Sequence, residues 1–92
     1  MTVTRTVLIT NRRGLHARAS AKFVTLASSQ PCEVQVEKDG AGSVTGTSIM
    51  GLMMLAAGPG TSVTVSAIGP EAQAAVDAIA AQVADKFNEE GV

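Results

Sequence analysis

Tryptophan and tyrosine are missing from this 92-residue chain, and its only aromatic side chains are Phe23 and Phe87. A core without large rings must be assembled from Val, Ile, Leu, Met and Ala. The shortage also removes the stacking platform that single-stranded nucleic-acid binding uses. One cysteine, Cys32, excludes an internal disulfide and any cysteine-based metal cluster. It fits a reducing compartment, and Cys32 is read as a small half-buried residue near a strand start. No apolar run reaches membrane-spanning length, and Met1–Arg5 leads into no long apolar segment. We therefore expect no signal peptide, no membrane insertion and a cytoplasmic location. No carboxylate pair, nucleophile triad or nucleotide-binding loop is visible, so no independent enzyme activity, cofactor or metal is expected.

The length suits one domain spanning residues 1–92. Such a chain buries a modest share of its surface, so moderate stability is expected. Net charge is near zero but unevenly placed. Arg5, Arg12, Arg13, Arg18 and Lys22 crowd the first 22 residues without an acid. From residue 69 onward, Glu71, Asp77, Asp85, Glu89 and Glu90 face only Lys86. The basic end suits an anionic group or an acidic partner surface. It is too sparse for a nucleic-acid groove.

Val3, Arg5, Val7 and Ile9 alternate with Thr4, Thr6, Leu8 and Thr10, the period of a half-buried strand. Asn11–Gly14 reads as a polar turn. From Ala17 to about Ser28 the spacing is helical, with Ala19, Phe23 and Leu26 or Ala27 on one face. Glu33–Lys38 alternates again, with Val34 and Val36 inward. Asp39-Gly40 signals a hairpin into a short strand at Gly42–Thr45. Ser48 opens a two-turn apolar helix that Gly58-Pro59-Gly60 closes. Thr61–Ile68 is the last strand. Gly69-Pro70-Glu71 starts the last helix, with Pro70 at or near its first position and Glu71 in its first turn. Its buried stripe is Ala72, Ala75 or Val76, Ile79, Val83 and Phe87. The order β-α-β-β-α-β-α predicts a two-layer α+β domain, helices on one sheet face and water on the other.

His16 is the only histidine. Gly14 and Leu15 lead it into a helix whose first amides lack intrahelical partners. Those amides and the helix dipole favour an anion. A group carried on the ring could be held by the backbone N–H groups of Ala17 and Arg18. Arg18 adds a permanent cation with a planar donor fork. Neutral imidazole is a competent nucleophile near physiological pH. Arg12 and Arg13 are read as solvated turn charges, with partner contact as the alternative. Ser20 and Lys22 are read as ordinary exposed helix residues.

Gly14-Leu15-His16-Ala17-Arg18 resembles the active-site motif of the HPr family, the phosphocarriers of the bacterial phosphoenolpyruvate-dependent phosphotransferase system. Ser48-Ile49-Met50-Gly51-Leu52-Met53 resembles that family's second motif, and spacing, element order and length agree. The resemblance covers essentially the whole chain. It implies an open-faced sandwich with a four-stranded antiparallel sheet, order 1-4-2-3, and three helices on one face. It implies that His16 takes a phosphoryl group on Nδ1 from enzyme I and passes it to an EIIA-type domain. It implies that Arg18 stabilises the phosphoryl group. Many family members have proline where this chain has Ala19. Alanine keeps a free amide and loses the preset first turn. The loop and the stretch Thr47–Met54 resemble the nitrogen-related branch, whose relay regulates rather than imports sugar.

Ser48 sits where a helix N-cap is expected. The resemblance also makes it the position phosphorylated by HPr kinase/phosphorylase in some bacteria. A phosphate there would suit the helix start and repel acidic partners of the basic surface. Ile49, Met50, Leu52, Met53, Met54 and Leu55 are too many apolar side chains for one buried face. By resemblance, Ile49, Met50 and Leu52 or Met53 dock enzyme I and EIIA, and adaptable methionines suit several partners. The expected protein is a monomeric carrier. The competing reading is a regulatory module that binds proteins through Ser48 and uses His16 little.

Overall fold

The computed structural model describes residues 1–88; Glu89 and Glu90 of the acidic end lie outside the described residues. The elements are β1 (Thr2–Leu8), α1 (Ala17–Ser28), β2 (Glu33–Lys38), β3 (Gly42–Thr45), α2 (Ile49–Met54), β4 (Ser62–Ile68) and α3 (Ala72–Ala84). A 3₁₀ turn at Lys86–Asn88 follows. All strand pairs are antiparallel, in the order β1-β4-β2-β3.

The period-two alternation sorts the sheet faces. Val7 faces Val63 across β1 and β4, and Val36 faces Val65 across β2 and β4. These residues are buried beneath the helices together with Phe23, Leu52, Ile79 and Phe87. Thr4, Thr6, Leu8, Ser62 and Ile68 are exposed, and hydroxyls pair across the strands, Thr4 with Ser66 at 3.1 Å. Arg5 is on the covered face at the sheet edge, where it escapes to solvent and meets Asp77 of α3 at 3.6 Å. Both side chains are about half exposed, so the pair contributes little. Cys32 is a free, half-buried cysteine just before β2.

Both ends of α3 differ from the sequence expectation. Glu71 is not inside α3: it is the N-cap, in a left-handed conformation (φ 56°), and its side chain caps nothing. Pro70 therefore lies outside the helix, and the first turn contains no acid. Phe87 is buried, but not by continuing α3. The helix stops at Ala84, and Lys86, Phe87 and Asn88 are all left-handed. That turn swings the ring back into the core, where full burial of such a side chain is worth about 1.5–3 kcal/mol.

The expected closure of α2 at Gly58-Pro59-Gly60 also comes earlier. Ala56 takes the left-handed conformation (φ 54°) that glycine usually supplies at a helix end. This reversal buries Ala57 and turns its carbonyl toward the start of α1, where it accepts the Leu15 N–H at 2.9 Å.

Candidate functional site

The loop before α1 is locked rather than merely polar. Gly14 N donates to the Asn11 carbonyl at 3.1 Å, and Asn11 Nδ2 donates to the Gly14 carbonyl at 2.8 Å. Asn11 is completely buried. Gly14 has φ +62°, and a Cβ there would run into the Ala57 carbonyl and lie 2.7 Å from Gly58 Cα. Only glycine fits that approach. The loop and the chain after α2 are thus clasped together, which fixes the direction in which residues 15 and 16 leave.

Leu15 points into the core and His16 becomes the N-cap of α1. Its backbone is extended (φ −74°, ψ −179°), as caps are. Imidazole Nδ1 accepts the backbone N–H of Arg18 at 3.3 Å. His16 is half-buried. A neutral ring that accepts at Nδ1 carries its proton on Nε2. The in-plane lone pair of Nδ1 is therefore aimed at the start of a helix. That is the nitrogen on which a bound anion would meet the first amides.

Ala17 begins α1 and is exposed. Arg18 is exposed too, and it lines a groove between α1 and α3 together with Lys22, Leu26 and Gln82. Arg13 instead shares an open hollow of about 220 Å³ with His16, Leu15 and Ala56–Gly58.

Two helix residues behave differently from the sequence expectation. Ser20 is fully buried, and its hydroxyl donates to the Leu15 carbonyl at 3.1 Å. Lys22 is half-buried, and its Nζ donates to the Phe87 carbonyl at 2.6 Å. Ser20 holds the residue before His16, and Lys22 ties α1 to the left-handed turn. The helical spacing of Ser20 from Ala19 and Phe23 was the available signal.

Ser48 caps α2 (φ −112°, ψ 109°), its Oγ accepting Gly51 N–H at 3.0 Å. Gly51 is close-packed: a Cβ there would lie 3.0 Å from Val44 Cβ. Ser48 stands at the end of α2 away from the His16 hollow, a helical rise of about 9 Å over six residues. Ile49 (40 % exposed), Met50 (70 %), Met53 (41 %) and Met54 (76 %) form an apolar surface beside it. Leu52 is completely buried against the core. Its expected docking role is corrected: the side chain is enclosed by the core and offers partners nothing. Met54 is an exposed neighbour outside the expected docking set.

A family model described as the "PTS HPr component phosphorylation site" matches residues 3–85. The chain belongs to the HPr family. It is 47 % identical over 85 residues to phosphocarrier protein HPr of Cupriavidus necator, covering 92 % of this chain and 94 % of the relative. It is 42 % identical to phosphocarrier protein NPr of Shewanella violacea, covering 92 % of each chain. The structure superposes with a TM-score of 0.89 on HPr-C-His from Thermoanaerobacter tengcongensis, at 40 % identity and 96 % and 98 % coverage. HPr proteins are phosphocarriers of the phosphotransferase system, not catalysts, and that general role applies here. Among the described residues, no helix is long and apolar enough to cross a membrane. No group of His, Cys, Asp and Glu among them could hold a metal ion.

Proposed function

We propose that His16 accepts a phosphoryl group on Nδ1 from phosphorylated enzyme I and delivers it to an EIIA-type domain. The observation that carries this reading is the Nδ1 contact to the Arg18 amide at the open end of α1. In the accepting step, the Nδ1 lone pair forms the new bond to phosphorus. The bond from phosphorus to the donor atom breaks, and its electron pair leaves with the donor. The Nε2 proton stays on the ring. The amides of Ala17 and Arg18 then face phosphate oxygens in place of the nitrogen lone pair. Arg18 needs only a rotation of its exposed side chain to add a charged fork.

The exposed Ile49, Met50 and Met53 serve as the docking surface for both partners. A phosphate on Ser48 would replace one capping contact by several and place negative charge beside that surface. HPr kinase/phosphorylase is the enzyme class that would install it. HPr-named and NPr-named relatives match to similar extents, and the carrier chemistry is common to both. Resemblance of the His16 loop to the nitrogen-related branch favours a regulatory relay over sugar uptake.

Incubation with enzyme I, magnesium and phosphoenolpyruvate tests the proposal by intact mass. One acid-labile phosphoryl group should be gained, and none by His16→Ala. A His16→Ala protein that still gains the group would remove His16 from the mechanism. A protein that gains nothing, yet still binds its partners, would favour the binding-module reading.

A further inference from the structure

We propose that Arg13 is a second phosphoryl-binding cation, acting from the side of His16 opposite α1. The proposal rests on the carrier reading above and deepens it.

Three observations lead to it. Arg13, not Arg18, lines the hollow that contains His16, whereas Arg18 lines the groove between α1 and α3. Arg13 is exposed, and among the described residues no hydrogen bond or ion pair holds its side chain. Its backbone, by contrast, belongs to the locked loop. Gly14 is bonded in both directions to Asn11, and the next amide, Leu15 N–H, is bonded to Ala57.

A rigid backbone and an uncommitted guanidinium suit a group that must meet a transient anion. The amides of α1 can address only the phosphate oxygens that face the helix. In the transfer state the remaining oxygens face the hollow, because the α1 side is filled by the helix itself. The floor of that hollow is Leu15, Ala56, Ala57 and Gly58, which provides no side-chain donor. Arg13 supplies the missing charged donor there, and its planar fork suits two oxygens at once. Arg18 must first rotate from the groove it lines. Arg13 is therefore the cation that meets the incoming group, and both flank it once it is bound.

The experiment compares the natural protein with Arg13→Ala and Arg13→Lys after phosphorylation by enzyme I and phosphoenolpyruvate. The phosphorus NMR shift and the hydrolysis rate of the phosphohistidine are recorded. The kcat and KM of the chain as a substrate of enzyme I are measured alongside. Arg13→Ala should move the phosphorus resonance and change the hydrolysis rate. It should lower kcat roughly tenfold while KM stays within about twofold. Arg13→Lys should recover part of each of these effects. An unmoved resonance with unchanged kcat overturns the proposal. So does a rise in KM alone, which would make Arg13 a docking charge. If the natural protein takes no phosphoryl group, the carrier reading itself fails, a result distinct from any Arg13 effect.

Discussion

Imidazole Nδ1 of His16 lies 3.3 Å from the backbone nitrogen of Arg18 and accepts its proton. One atom is therefore both the helix cap and the proposed nucleophile, and the two roles can be separated by substitution. His16→Ala should lose both, with a cap contribution of about 1 kcal/mol. His16→Asn restores a good cap and should recover most of that stability while still accepting no phosphoryl group. Thermal melts and intact mass, run side by side, check this. Equal melting of the Ala and Asn proteins would show that the cap contributes nothing.

The clasp at Gly14 gives a backbone prediction. Alanine there would occupy a left-handed position and collide with the chain at Ala57 and Gly58. Gly14→Ala should cost about 2–4 kcal/mol, from strain and overpacking together. Denaturant unfolding measures it. Loss below about 0.5 kcal/mol, the scale of an ordinary surface change, would mean that the loop is not clasped.

Leu52 and Met50 are two positions apart on α2 and should respond oppositely. Leu52 is fully buried, so Leu52→Ala should destabilise by about 2–5 kcal/mol. Met50 is 70 % exposed, so Met50→Ala should leave unfolding within about 0.5 kcal/mol. It should instead raise the KM for enzyme I or weaken binding of the EIIA domain. Titration calorimetry with either partner distinguishes the two.

Ser20 is small, polar and fully enclosed, and its hydroxyl is spent on the Leu15 carbonyl. Ser20→Ala leaves that carbonyl short of a donor and should cost about 1–2 kcal/mol. Because Leu15 precedes His16, phosphoryl transfer should slow as well. Unfolding and transfer assays on the same sample test the coupling; a stability loss with unchanged transfer would confine Ser20 to a structural role.

The elements were legible because alternation and helical spacing are local signals, and the valines of β1, β2 and β4 obey them. The strand order came with the family resemblance, since pattern alone does not say that β4 runs between β1 and β2. The geometry of the candidate site was legible where one motif carries it: Gly14, His16 and the helix start are contiguous. What escaped depended on distant parts of the chain. Lys22 is half-buried because a turn 65 residues later presents the Phe87 carbonyl to it. Leu52 and Met53 could be sorted only once it was known which side of α2 meets the sheet. Glu71 sits in a left-handed cap two residues after Gly69, itself at positive φ, a feature that composition alone does not reveal.

The account turns on the nitrogen that carries the phosphoryl group. Long-range proton–nitrogen correlation on labelled protein, before and after treatment with enzyme I and phosphoenolpyruvate, identifies it directly. The account predicts a phosphorylated Nδ1 on His16, with the amide resonances of Ala17 and Arg18 displaced. A phosphorylated Nε2, or an Nδ1 adduct that leaves those two amides unmoved, would contradict it.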